Sequence, residues 1–356
     1  MVLCSAPGKL IILGEHSVVY GKEALISTVN KRCYVMVGVD KKRVKVKDKF
    51  FGISFEFLPK ECILEFERAN RMWEIGFQKR NFQELFSLLK NDLLRWKVMV
   101  GTILKRLNLN SGVIVQVYSQ VFPFSGLGSS AALSLSLTKA IAESYKMKIK
   151  KERINNIAFE IEKFYHGTPS GADNTTSCFG GVILFKKGRF KNKISFLNKD
   201  LLGSLLNPFL VYTGKPKKGT GELVEFVRNL NKRYREKIID RLGELTKGIL
   251  KELKSKNFSK IKEIINEAQK NLASLGVSTS KIDYLCKNVV KIGGGAKLCG
   301  AGGGGVVLAV HEDKQKLLNL LQKLKFKFFE VRFGVEGVKK ENIQTWKKLN
   351  FQLQEN

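Results

Sequence analysis

A fold that mixes β-sheet with α-helix, in one large or two medium domains, is what the sequence predicts, and three stretches carry the prediction. Strand-forming runs broken by short glycine-containing turns fill residues 2–37. The β-like run Val113–Tyr118 passes through Gly126-Leu127-Gly128-Ser129-Ser130 into a helical pattern in which Leu133, Leu137, Ala140 and Ile141 share a face. Long helical patterns from Glu222 lead to IGGGAKLCGAGGGGVVLAV, residues 292–310, where apolar strand formers flank a glycine run. The 356 residues, 44% of them hydrophobic, suffice to bury cores of that size.

In chain order, residues 2–37 read as two or three strands with turns at Ala6-Pro7-Gly8-Lys9 and Gly14-Glu15-His16. Lys9 follows a Pro-Gly turn and precedes Leu10-Ile11-Ile12-Leu13, which seats an ammonium at the edge of a buried strand, suited to a phosphate or a developing oxyanion. Taken singly, a solvated lysine at a strand end is the commoner outcome, and Glu15 and His16 read as a turn acid and a half-buried imidazole. Residues 41–110 hold a short β-like run around 50–58. Phe82, Leu85, Phe86, Leu89, Leu93, Trp96 and Met99 then follow at helical spacing and read as core.

The glycine–serine stretch has a natural use in anion binding. The first backbone N–H groups of a helix are unpaired and carry partial positive charge, and glycine lets a phosphate approach the backbone. The alternative is a helix merely capped by serine. A second helix spans Lys151–Phe164 with Glu162 near its end, turn formers fill His166–Asn174, and Gly181 leads into a strand at 182–185. Glu162 and Asp173 offer a metal ligand and a base, though each alone suits a cap or a turn. The second half reads as a strand Phe209–Thr213, helical patterns over 222–253, 258–275 and 282–290, the glycine run, a helix 314–324, a strand 326–333 and a charged surface helix.

The formal charge of +31 attracts polyanions. The lysines are spread almost evenly from Lys41 to Lys348 without a recognition motif, which favours anionic small ligands over a dedicated nucleic-acid partner. Six scattered cysteines without CxxC spacing and three distant histidines argue against zinc and for reduced, partly buried thiols. Short apolar runs and the absence of a cleavable apolar leader predict a cytoplasmic protein with no membrane partner. Gly126–Ala131 fits GxGxxA, but the region about 20 residues on is helix end and lysine-rich turn rather than an acid closing a second strand. No GxxxxGK[ST] occurs.

Together these stretches resemble the GHMP kinases. SAPGKLIILGEHSVVYGKEAL (Ser5–Leu25) resembles the first family motif, and its GEHSVVYGK continuation is similar to the branch that acts on mevalonate rather than to galactokinase. GLGSSAA (Gly126–Ala132) resembles the second motif, HGTPSGADN with the downstream glycine pair resembles the HGxPSGxDN segment, and KLCGAGGGG (Lys297–Gly305) resembles the third. Phe124 and Ser125 depart from the family pattern, which has glycine and alanine there.

The resemblance implies a two-domain α+β fold. Residues 1–205 would form a nucleotide-binding and catalytic domain like ribosomal protein S5 domain 2, with a left-handed βαβ crossover, and residues 206–356 a ferredoxin-like domain. It implies phosphoryl transfer from ATP, with Mg²⁺, to the C5 hydroxyl of mevalonate, with phosphomevalonate or a related small molecule as the alternative substrate. A basic nucleic-acid-binding protein with an S5-like domain is the alternative of another class. Asp173 would take the hydroxyl proton and Lys9 would stabilise the attacking oxygen. Ser130 and Glu162 would bind Mg²⁺, and Gly126, Gly128 and Ser129 would cradle the phosphates. Glu15, His16 and Thr213 would face the substrate, and Gly300, Ala301, Gly302, Gly303 and Gly304 would wall the site. A homodimer is compatible with all of this.

Overall fold

The structure, a computed structural model, describes residues 1–48, 51–123, 125–188 and 192–352. In order the chain forms β1 (Val2–Leu13), β2 (Glu23–Asp40), β3 (Val44–Asp48), β4 (Ile53–Phe57), α1 (Pro59–Lys79), α2 (Gln83–Leu88), α3 (Asp92–Arg106), β5 (Gly112–Ser119), α4 (Ser129–Ser144), α5 (Lys151–His166), α6 (Ala172–Phe179), β6 (Val182–Lys186) and β7 (Lys193–Leu197). The second half continues with β8 (Phe209–Gly214), α7 (Thr220–Arg228), α8 (Lys232–Ser255), α9 (Phe258–Ser274), α10 (Ser280–Lys291), β9 (Gly295–Leu298), β10 (Gly305–Val310), α11 (Lys314–Lys323), β11 (Lys327–Glu330), β12 (Lys339–Glu341) and α12 (Ile343–Gln352).

Two sheets divide the strands. The first has the order β12-β1-β2-β5-β3-β4, with β6 on β2 and β7 on β6, and the second has the order β11-β8-β10-β9. The long strand β2 serves two partners on one side: Glu23–Ser27 pair with β6 and Cys33–Asp40 with β5, while β1 lies along the other. Both faces of β1 and β2 are largely buried, so their sequences run apolar without alternation. The small residues of α4 (Ala131, Ala132, Ser134, Ser136, Ala140) let it lie close on β1 and β2. Buried apolar residues of both sheets, from Ala6 and Val35 to Val211 and Leu308, belong to one continuous cluster, where each fully buried Val or Leu adds roughly 1.5–3 kcal/mol.

Several expected elements take a different form. The Pro7-Gly8 step is no turn. It lies inside β1 as a register shift between Pro7 and Lys9, because β2 pairs with the strand both before and after it. The helical spacing 82–99 is split, since Asn91 accepts from the Leu94 N–H and restarts the chain as α3, and Asn231 divides the 222–253 pattern into α7 and α8 in the same way. Asp173 sits in the first turn of α6 rather than in a loop. The terminal helix is only partly a surface element, for Trp346 is 5% exposed and packs with Leu3 and Met36. The expected division at 205/206 is crossed by the chain's end, because β12 pairs with β1.

Candidate active site

Two glycine loops and one strand bring the motifs together. The bulge in β1 leaves the Lys9 N–H free to donate to the Leu127 carbonyl at 2.8 Å, which ties the strand to the first glycine loop. Its side chain runs beneath that loop, 5% exposed, and Nζ stops 3.1 Å from Asp173 Oδ2. Gly128, with φ +69°, precedes α4. A Cβ there would lie 3.1 Å from Lys9 Cγ and 3.6 Å from Asp173 Oδ2, so only glycine lets the loop backbone press on this pair. Ser129 and Ser130 open α4, and their side is the positive end of a 16-residue helix.

The loop's first half is held by Ser125, 1% exposed, whose hydroxyl donates to the Phe122 carbonyl at 2.5 Å and accepts from the Leu127 N–H at 3.4 Å. The serine that departs from the family pattern is thus a brace, while Phe124 lies outside the described residues. Gly126 meets the second glycine loop, its Cα 3.5 Å from where a Cβ on Gly300 would stand.

Glu162, on the last turns of α5, is 2% exposed. Its Oε2 lies 3.4 Å from His166 Nε2, one turn on, and its Oε1 is buried with no partner. Desolvation is the largest influence on the His166 imidazole and favours the neutral ring. Glu162 and Asp173 together outweigh it and hold the imidazole above its ordinary value, a sign that the two carboxylates share one neighbourhood.

Glu15, just after β1, and Lys297, in β9, form an ion pair at 2.5 Å, with side chains 1% and 0% exposed. Lys297 also donates to the Leu298 carbonyl at 2.7 Å. Burial pulls its ammonium down, but the Cys299 sulfur and Glu15 prevail and keep the lysine charged. The neighbouring His16 adopts φ +57° and places Nε2 2.9 Å from the Ala301 carbonyl. A carbonyl only accepts, so Nε2 carries the proton. Burial lowers the ring's pKa, leaving Nδ1 an acceptor that is buried and unpartnered. Thr213 is buried, and its hydroxyl donates to the Gly305 carbonyl at 3.0 Å.

Between the glycine loops lies a cleft of about 290 Å³ whose lining includes Ser125, Gly126, Ala301, Gly302 and Gly304. Lys215, Lys217 and Lys218 line it too, from the turn between β8 and α7. A larger groove of about 530 Å³ between α8 and α9 contains no motif residue, and its Arg241 already pairs with Glu244 and Glu267. The lysine turn and Lys297 are the residues that sequence reasoning missed. A KPKK turn directly after a strand facing an anion loop is a signal that could have been read; the partner of Lys297, 282 positions away, left none.

The arrangement offers a cation and a carboxylate in contact at the foot of an anion-binding loop, a second carboxylate with an open oxygen, and a neutral imidazole acceptor. Residues 94–181 match the GHMP kinases N terminal domain and residues 249–330 the GHMP kinases C terminal domain. The chain is 31% identical to a mevalonate kinase of Pyrococcus abyssi over 329 residues, covering 89% of this chain and 90% of that one. A crystal structure of the Methanococcus jannaschii mevalonate kinase superposes with a TM-score of 0.76 at 25% identity, covering 93% and 98% of the two chains. The L. major mevalonate kinase in complex with R-mevalonate superposes at 0.68 with 20% identity, covering 92% and 94%. Among the described residues no helix is long and apolar enough to cross a membrane.

Proposed function

The chain belongs to the GHMP kinase family, and from that premise we propose that its cleft transfers the γ-phosphoryl group of ATP to the C5 hydroxyl of mevalonate. The protein is a phosphotransferase acting on an alcohol group. The observation that carries the assignment of roles is the 3.1 Å approach of Lys9 to Asp173 under the backbone of Gly128. The substrate oxygen forms a bond to the γ-phosphorus as the bridging P–O bond breaks, ADP leaves, and the hydroxyl proton passes to Asp173. Lys9 orients the Asp173 carboxylate towards that hydroxyl and stabilises negative charge on the attacking oxygen. A positioned base of this kind contributes about 10²–10⁴ in rate.

Gly126, Gly128 and Ser129 present backbone N–H groups to the phosphates at the N-terminus of α4. Among the described residues no cluster of three or more His, Cys, Asp or Glu is placed to hold a metal ion by itself, so the protein would supply only part of a cation's shell. Glu162 Oε1, buried and unpartnered, suits that share, together with the Ser130 hydroxyl. These two would hold Mg²⁺, which neutralises phosphate charge when bound and needs only a few protein oxygens. His16 Nδ1 accepts from a substrate hydroxyl, Glu15 and Thr213 hold the wall behind it, and the lysines of 215–218 attract the anionic groups of both substrates. Gly300 to Gly304 complete the wall.

The test is an assay of MgATP-dependent phosphorylation across mevalonate, phosphomevalonate, homoserine and galactose. Efficient turnover of mevalonate alone is expected. An equal or greater rate on phosphomevalonate would overturn the substrate assignment.

A further inference from the structure

We propose that Arg32, which belongs to none of the four functional stretches above, is a positioning residue for Lys9 and Asp173: its guanidinium fastens residues 332–341 across the two elements that carry them. This rests on the reading of Asp173 as proton acceptor.

After β11 the chain returns to the first sheet and lies over the end of α6. The Val338 N–H donates to the Cys178 carbonyl and the Gly181 N–H to the Val335 carbonyl, both at 3.0 Å. A Cβ on Gly337 would lie 2.1 Å from the Cys178 oxygen, so this strap sits with bare backbone on the C-terminal end of the helix. Asp173 occupies the other end of the same eight-residue helix, roughly 12 Å long and stiff. The strap then becomes β12 and pairs with β1, Ser5 opposite Lys339, four residues before Lys9. One segment therefore abuts both the helix that carries the base and the strand that carries its cation.

Arg32, in β2 and 8% exposed, fixes that segment. Nη1 donates to the Glu336 carbonyl and Nη2 to the Gly337 carbonyl, each at 2.7 Å. Nε donates to Ser5 Oγ at 2.7 Å, and that hydroxyl donates to Glu341 Oε1 at 2.6 Å. All three nitrogens thus bond the strap and β1 at once, a planar fork that a lysine cannot reproduce. A displacement at one end of a short rigid helix appears at its other end, and a misplacement of about 1 Å can cost about 10²-fold in rate.

The experiment compares the parent, Arg32→Lys, Asp173→Asn and the double variant, each confirmed as folded by circular dichroism, at saturating MgATP and mevalonate. Arg32→Lys should lower kcat roughly tenfold through misplacement of the base, with the KM for ATP changed by less than about twofold. In the Asp173→Asn background the same replacement should change kcat by less than about twofold, because the two act on one step. A folded Arg32→Lys enzyme with parental kcat overturns the proposal, as does an equal loss in both backgrounds. Asp173→Asn at parental activity would instead sink the base assignment, and that is read without any Arg32 variant. If Arg32→Lys does not fold, Ser5→Ala, which removes only the Nε and Glu341 bonds, is measured in both backgrounds. A loss confined to the Asp173 background supports the proposal, and a shared loss or none overturns it.

Discussion

Replacing Lys297 by methionine deletes one buried charge at nearly constant volume, which makes it a direct probe of the pair that joins the first and third motifs. The ammonium and the Glu15 carboxylate are 0% and 1% exposed and 2.5 Å apart. Without Lys297 the carboxylate keeps no counterion where water does not reach, and breaking such a pair from one side costs roughly 3–5 kcal/mol. An unfolding entropy of about 2.1 cal/mol/K per residue gives roughly 0.75 kcal/mol/K for 356 residues, so the melting temperature should fall by about 4–7 °C. Glu15→Gln combined with Lys297→Met leaves no orphan charge and should recover most of that loss. Calorimetric melts at pH 7 of the parent, both single variants and the double variant decide the matter. A Lys297→Met protein melting within about 1 °C of the parent, or a double variant no more stable than the single one, would refute the view that full opposite charges face each other there. Because Glu15 adjoins His16, the KM for mevalonate should rise in all three variants whatever the melts show.

Four further outcomes are expected. Asp173→Asn should lower kcat by roughly 10²-fold or more, Lys9→Met should lower it too, and the double variant should lose less than the product of the single losses. Ser130→Ala and Glu162→Gln should each shift the Mg²⁺ dependence of the rate to higher concentration; mutants with the parental Mg²⁺ curve and full activity would exclude these ligands. Burial holds His16 below its ordinary value of 6.5, so on acidification the unfolded chain takes up this proton first. The parent should therefore lose stability as pH falls below about 6.5, by at most about 1.4 kcal/mol per pH unit from this group, and His16→Gln should lack that part of the slope in melts from pH 7 to 5. Burial pushes the thiols of Cys4, Cys33, Cys62 and Cys178 up to about 12, so a thiol-disulfide reagent should titrate all six cysteines only after unfolding, and fast labelling of the native protein would contradict the packing.

What could be read from the sequence was local. The Gly126–Ser130 loop and the strands and helix around it are encoded by short-range turn chemistry and by periodicity, and they stand where the pattern put them. Asp173 was misplaced in a turn because Gly171, Asp173 and Asn174 suit turns as well as helix starts. The difference is made by α6 packing on α4 and β1, which no local propensity contains. Pro7-Gly8 misled in the same way, since a strand that β2 pairs before and after the step absorbs it as a bulge. The partners of Glu15 and Arg32 lie about 280 and 300 positions away, so no periodicity could point to Lys297 or to the Glu336–Gly337 carbonyls.

The pairing of Leu3 with Glu341 also sets an order of events during synthesis. On the β12 side, Leu3–Ser5 of β1 have no strand partner until β12 emerges, about 330 residues later, which at roughly 5–20 residues per second is about 15–65 s. Throughout that interval these three residues present edge N–H and C=O groups without the strand that finally pairs them. The edge that the finished enzyme closes last is thus the short Leu3–Ser5 stretch, and the chain must be nearly complete before Glu341 can close it.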